Sequence, residues 1–277
     1  MPEFSKKRTV IHNCPCGKSN RDGKFVPYIV NDTPSPIYGF CHSCGECFLP
    51  NISQKPPVNG FKHNPVVVKP IRFIKEELVN KTLKAFDKNN FASWLRTVIP
   101  DKSEELLRYF EIGTSRDGAC LFWYKDALGQ YRTAKKVFYN QNGHRDRGYI
   151  TQFLFKKDQG FEPCLFGEFQ LAEYPVETPV CLVESEKTAI VSYAYYPFLI
   201  WLATGGSHGL TASKAMVLKG RSVIIIPDCD EAGRMAAKKS LELLKVLDCK
   251  VIIMEVNDQI ISGADLADLI LEPDIKL

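Results

Sequence analysis

Residues 180–206 read VCLVESEKTAIVSYAYYPFLIWLATGG. Two short, continuously apolar runs, at 180–183 and 198–202, flank a stretch at 186–195 with helical character. The pattern then repeats. Residues 223–226 and 251–254 are further apolar runs, with helical stretches at 208–218, 231–247 and 264–271. Apolar strands of this length, separated by helices, predict a parallel sheet covered on both faces. The expectation for residues 176–277 is therefore a doubly wound α/β domain.

In such a domain the acidic residues fall at informative places. Glu184 follows the first strand directly and projects from its carboxyl end, the edge at which open α/β sheets build their sites. Asp228 and Asp230 follow the segment 222–227, two residues apart and so able to face the same way. Taken singly, each has a plainer role, as a helix N-terminal charge or as the cap of the helix that opens near Glu231. Together they mark two strand ends 44 residues apart, the spacing of a β-α-β-α-β run. Three carboxylates gathered at one edge repel one another, and a bound Mg²⁺ or Mn²⁺ relieves that repulsion while offering a place for phosphate oxygens. Asp265 and Asp268 follow the fourth strand and extend the cluster.

The N-terminal region has a different character. Five of the ten cysteines, Cys14, Cys16, Cys41, Cys44 and Cys47, lie in one short stretch, and the other five are scattered among apolar neighbours. The first residues, MPEFSKKR, carry no apolar leader behind their charges, and no run of about 18 apolar residues occurs. A cytoplasmic protein without membrane contact is expected, in which clustered cysteines bind metal. Cys14, Cys16, Cys41 and Cys44 are the expected Zn²⁺ ligands, on two tight glycine-containing turns. The C-x-C spacing of the first pair leaves Cys14, His12 and Cys47 as alternatives for one position. Four protein ligands would make this a structural zinc with no open coordination position. The expected divisions are a zinc ribbon at 1–50, a proline-rich linker at 51–72, a mixed α+β region at 73–175 and the α/β domain at 176–277.

Within 73–175, the apolar spacing from 74 to 107 predicts two or three helices. The runs at 119–124 and 132–139 flank Asp126-Ala127-Leu128-Gly129 and predict a hairpin whose second strand carries Arg132, Lys135 and Lys136. Charge is divided unevenly. Residues 1–150 carry a net +10 and residues 151–277 a net −6, within an overall +4. A basic front half suits a polyanion, and an acidic back half suits divalent cations.

The segments Val183-Glu184-Ser185-Glu186, Ala203-Thr204-Gly205-Gly206, Pro227-Asp228-Cys229-Asp230-Glu231-Ala232-Gly233-Arg234 and Asp265-Leu266-Ala267-Asp268 resemble the Toprim domain of primases, above all the primase half of phage primase-helicase proteins. Cys164-Leu165-Phe166-Gly167-Glu168 resembles the Leu-Phe-Gly segment that precedes Toprim there, and the ribbon stands where their template-reading zinc module stands. The chain also resembles Toprim proteins of bacterial mobile elements. The resemblance implies template-directed synthesis of short RNA primers on single-stranded DNA from nucleoside triphosphates. In that role Glu184 is an acid/base or metal-coordinating group, Asp228 and Asp230 are the principal Mg²⁺ or Mn²⁺ ligands, and Asp265 joins them. Arg132, Lys135 and Lys136 match a region that contacts triphosphates, and Phe40, His42 and Lys24 are candidates for template contact. Thr188 stands where phage primases have an aspartate four residues after the glutamate. No Gly-x-x-x-x-Gly-Lys-Ser/Thr loop is present, so any helicase is expected to be a separate partner. A phosphodiester-cleaving Toprim nuclease and a catalytically silent nucleic-acid-binding protein are the alternative expectations.

Overall fold

The computed structural model describes residues 4–6, 8–30, 33–43, 45–49, 71–206, 209–254 and 265–272. It divides into two compact units, Met1–Val67 and Val68–Leu277. Among the described residues, no helix is long and apolar enough to cross a membrane.

The first unit is a three-stranded antiparallel sheet of β1 (Phe25–Val30), β2 (Thr33–Cys41) and β3 (Cys47–Phe48), in that order. Its core is small, with Cys14, Phe25 and Cys41 as the buried centre. Buried Asn20 substitutes for missing apolar mass. Its amide Nδ2 donates to the carbonyls of Arg8, Ile11 and Phe25, and its Oδ1 accepts from the Phe25 N–H at 2.6 Å. The two cysteine turns close as their glycines require. Gly17 (φ 85°) donates to the Cys14 carbonyl and Gly45 (φ 73°) to that of Cys41, in backbone conformations that glycine adopts without strain.

In the second unit, α1 (Glu76–Asn80), α2 (Asn90–Val98) and α3 (Ser103–Tyr109) precede an antiparallel sheet of β4 (Gly113–Thr114), β5 (Cys120–Lys125), β6 (Tyr131–Val137) and β7 (Gln152–Phe153). The expected hairpin is β5 and β6, and Gly129 (φ 79°) closes its turn. After α4 (Gln170–Glu173) come β8 (Val180–Val183), α5 (Glu186–Tyr195), β9 (Ile200–Ala203), α6 (Ala212–Ala215), β10 (Ser222–Ile225), α7 (Glu231–Val246), β11 (Lys250–Ile253) and α8 (Leu266–Leu271). The four strands are parallel, in the order β11-β10-β8-β9.

This sheet is doubly wound. Cys181, Val183, Trp201 and Ala203 face a core shared with α5, α8, α2 and the antiparallel sheet. Val180, Leu182, Ile200, Leu202, Val223 and Ile225 face the opposite core, with Ala215 of α6 and Ala237 and Leu244 of α7. Burial on both sides explains why the strands read as unbroken apolar runs. One helix is shorter than its pattern. The helix expected at 208–218 is a single α-turn at 212–215 plus a 3₁₀ turn at 216–218. Among the described residues the helix starts only at 212, where the Thr211 hydroxyl caps its first turn by accepting from the Lys214 N–H.

The Leu165-Phe166-Gly167 segment ties the cores together. Phe166 exchanges both backbone hydrogen bonds with Ala203, at 3.0 Å each. Its ring enters the first core between Phe110, Phe122 and Tyr124, while Leu165 enters the second. Gly167 (φ 79°) lies so close to the Trp201 carbonyl that a Cβ would stand 2.6 Å from it.

Candidate active site at the carboxyl edge of the parallel sheet

Glu184 leaves β8 as the strand ends, and Asp228 and Asp230 follow β10, its hydrogen-bonded neighbour. Adjacency of the two parallel strands brings their carboxyl ends side by side. A pocket opens there, lined among others by Glu184, Thr204, Gly206, Pro227, Gly233 and Ser240. Gly233, in the first turn of α7, is part of the packing. A Cβ on it would lie 2.6 Å from the Asp228 carbonyl oxygen and 3.0 Å from Glu184 Oε1, so only glycine admits both carboxylate-bearing segments.

Glu184 Oε1 is buried and has no hydrogen-bond partner. Burial, then the Asp230 charge, pushes the Glu184 carboxyl upward. Asp228 is pushed up to about 7, by burial first and then by the charges of Glu184, Asp265 and Asp230, against a smaller opposing effect of Lys187. Carboxylates so placed are short of positive charge. Asp230 has a second task. Its Oδ1 accepts from the Gly233 N–H at 2.6 Å and caps α7. No three of these carboxylates bring oxygens mutually within 4.8 Å, whereas three thiols of the first unit do.

Asp265 is occupied differently. It caps α8 by accepting from the Asp268 N–H at 3.0 Å, and its Oδ2 lies 3.3 Å from Lys187 Nζ. Asp268 returns the cap to the Asp265 N–H and accepts from Lys187 Nζ at 2.8 Å. Thr188, the second residue after Glu186 in α5, is buried. Its Oγ1 pairs with Ser185 Oγ at 2.7 Å, and its N–H donates to the same Ser185 oxygen.

The three cations of β6 do not converge. Strand alternation sends Lys135 to one face, and Arg132 and Lys136 to the other. Lys135 is buried and donates to both Glu186 carboxylate oxygens at 2.8 and 3.0 Å and to the Gly205 carbonyl at 3.1 Å. The Tyr124 hydroxyl donates to the same carboxylate. Burial alone would raise the Glu186 carboxyl, but the Lys135 charge and these hydrogen bonds outweigh it and hold it low. Arg132 pairs with Asp126 at 3.2 Å, and Lys136 with Asp117 at 2.5 Å.

Glu186 and Lys187 read in the sequence only as opening a helix. A signal was present, since α5 has no polar face: residues 186–192 are all buried, so its charged residues must find partners. Lys214, also buried, donates to the Thr204 carbonyl at 3.1 Å, and burial lowers its basicity. Together Lys135 and Lys214 hold two successive carbonyls of the loop after β9.

In the first unit Cys14, Cys16 and Cys41 lie within 4.8 Å of one another, a group that could hold a metal ion. Cys44 lies outside the described residues. The group includes neither His12 nor Cys47, whose thiol instead contacts the Tyr28 hydroxyl at 3.2 Å. The rings of Phe40 and His42 meet edge to face at 4.9 Å, and Lys24 pairs with Asp22 at 3.0 Å.

The parallel sheet and the antiparallel sheet before it have the fold seen in primase catalytic cores. A DnaG catalytic core covers 70% of the chain, with 73% of its own length matched, at a TM-score of 0.50 and 16% identity. A DnaG primase catalytic domain bound to single-stranded DNA covers 70%, with 74% of its own length, at a TM-score of 0.51 and 18% identity. The chain belongs to the family described as Domain of unknown function (DUF6371), whose model matches residues 89–229. Among curated proteins, the ribosomal protein eL22-like of Bos taurus is 37% identical over 67 residues, 24% of this chain and 55% of that protein. Ribosomal protein eL22-like 1 of Mus musculus is 36% identical over 69 residues, 25% of this chain and 57% of its own length. The chain thus spans about half the length of the curated relatives it matches.

Proposed function

We propose that this protein is a primase-type nucleotidyltransferase, joining ribonucleotides on a single-stranded DNA template at the Glu184–Asp228 edge. The observation that carries the reading is the buried, unpartnered Oε1 of Glu184, set against the Asp228 backbone in a primase-core fold. An oxygen in that state needs a cation or a proton. Mg²⁺ or Mn²⁺ fits, because such ions are commonly held by one or two carboxylates, with water and substrate phosphates completing the shell. Glu184 and Asp228 would hold it, with Asp230 beside them. When bound, the ion would supply charge stabilisation at the attacking 3′-oxygen and the leaving pyrophosphate.

The protein's own residues do the rest. Burial and the neighbouring carboxylates push Asp228 up to about 7, so near neutral pH a cation arriving at the edge would have only one weakly held proton to displace there. Gly233 keeps α7 close, which fixes Asp228 and Glu184 relative to each other. The Lys135–Glu186–Tyr124 network holds β6 to α5 and fixes the Gly205 carbonyl, so the loop after β9 lies at a set distance from the edge. Arg132 and Lys136, on the opposite strand face, are proposed to meet nucleotide phosphates by exchanging their present carboxylate partners. Zn²⁺ held by Cys14, Cys16, Cys41 and Cys44 would order the first unit for template contact, consistent with the excess of cations in residues 1–150.

The test is incubation of the purified protein with single-stranded DNA, labelled ribonucleoside triphosphates and Mg²⁺ or Mn²⁺. Short labelled RNA that requires both template and metal is the expected product. Shortened template would assign the edge to phosphodiester cleavage. Binding without either product would make the protein a nucleic-acid-binding module.

A further inference from the structure

Five carboxylates, Glu184, Asp228, Asp230, Asp265 and Asp268, stand at or beside one sheet edge, enough negative charge to attract two divalent cations. The structure divides them. Glu184 keeps an oxygen with no partner, whereas Asp265 and Asp268 are filled: each caps the other across the first turn of α8, and each also reaches Lys187 Nζ, at 3.3 and 2.8 Å. Lys187 is 9% exposed at its side chain, and its ammonium lies 5.8 Å from the centre of the Trp94 ring. It cannot move to water without leaving that ring and two carboxylates. The next residue of α5 adds no ligand, because the Thr188 and Ser185 hydroxyls are bonded to each other.

We propose that Lys187 is a resident cation that closes the Asp265–Asp268 half of the edge, so that the protein takes one divalent cation, at Glu184 and Asp228, and not two. The proposal rests on the reading that Glu184 and Asp228 hold such an ion. It assigns Asp265 to Lys187 and to the α8 cap, and it makes the ammonium the second positive charge that the cluster needs. A lysine in this place leaves the edge able to bind one metal with its triphosphate while fixing the second charge permanently in the fold.

Counting bound Mn²⁺ by electron paramagnetic resonance of the free ion tests this, using full-length protein with its zinc retained. The wild type is expected to bind one Mn²⁺ per chain and Asp228→Asn none. Lys187→Met keeps the apolar stem against Trp94 but removes the charge, and is expected to bind two. Lys187→Met/Asp265→Asn should return the count to one. Should the methionine variant fail to fold, as seen by tryptophan fluorescence, Lys187→Gln is expected to give the same count of two. Two ions in the wild type, or one in a folded Lys187 variant, would overturn the proposal while leaving the metal-dependent reading intact. No ion in the wild type would remove that reading and this proposal together, and primer synthesis, measured in parallel, would be absent as well.

Discussion

Asp228 carries the largest electrostatic load at the edge, and its titration has a definite sign. Burial and the neighbouring carboxylates raise it from 3.8 to about 7, so the folded protein holds this proton more tightly than the unfolded chain. Between pH ~4 and ~7 the folded state therefore binds more protons, and metal-free stability falls as pH rises through that window and levels off above it. The cost at pH 8 is on the order of 2–4 kcal/mol. All three tryptophans, Trp94, Trp123 and Trp201, lie in the second unit, so urea melts followed by tryptophan fluorescence report on it directly. Asp228→Asn is expected to be more stable than wild type at pH 8 without metal and to lose most of the difference at pH 4. Equal stability at pH 8 would contradict the placement of Asp228. At the same scale, Gly233→Ala places a Cβ 2.6 Å from a backbone oxygen that has nowhere to yield. It should cost about 1–3 kcal/mol in the same melts and weaken Mn²⁺ binding. The placement of Glu184, Asp228 and Asp230 at strand ends was legible because they follow directly on unbroken apolar runs. The Asp230 cap of α7 was among the plainer roles the sequence offered, because it spans only three residues, whereas the hold of Lys187 on Asp265 was not legible, because it joins residues 78 apart in the chain.

At the scale of elements, the junction of β6 with α5 depends on one buried ion pair. Lys135 and Glu186 are 51 residues apart and almost wholly inaccessible, and the Tyr124 hydroxyl joins them from β5. Removing one partner strands the other charge in the interior, a loss of about 3–5 kcal/mol. Lys135→Met should therefore destabilise the second unit far more than Lys136→Met, whose partner Asp117 is half exposed. Replacing both members, Lys135→Met with Glu186→Leu, should recover part of the loss; a double variant no better than the sum of the singles would argue against coupling. The elements themselves were largely legible. Residues 180–183 and 186–195 form β8 and α5 as read, because an unbroken apolar run is a local signal; the Ser185 cap of α5 is added by the structure. The face that Lys135 occupies was not read. Strand parity separates Lys135 from Arg132 and Lys136, but register across the hairpin, with its irregularity at Tyr124 and Lys125, decides which face is inward. The Leu165-Phe166-Gly167 segment shows the reverse case. Its three residues were visible as a motif, and the structure supplies the reason, a crossing from one core to the other beside a carbonyl that excludes any Cβ.

At the scale of the molecule, the two units rest on different sources of stability. Among the described residues, the second has three apolar clusters, two of them extensive, whereas the central cluster of the first is Cys14, Phe25 and Cys41, two of these three residues being cysteines. A module that small would depend for its stability on a metal held by its cysteine group. Cys41→Ser is expected to drop bound zinc from one per chain to near zero and to make residues 1–67 readily cleaved by protease. Retention of full zinc would contradict the assignment of Cys41. Clustering of cysteines made this module visible in the sequence, and the fold brings three of the four expected ligands, Cys14, Cys16 and Cys41, within 4.8 Å of one another, a group that could hold a metal ion. The central claim concerns the other unit: that the carboxyl edge of the parallel sheet joins nucleotides with the help of a divalent cation. The most direct test is template-dependent RNA synthesis by wild type and Asp228→Asn, compared at pH 8 in Mn²⁺. The account predicts short RNA products from the wild type and a loss of about 10²-fold or more in the variant, with the variant folded and still binding single-stranded DNA. Products from both at similar rates, or from neither, would contradict it.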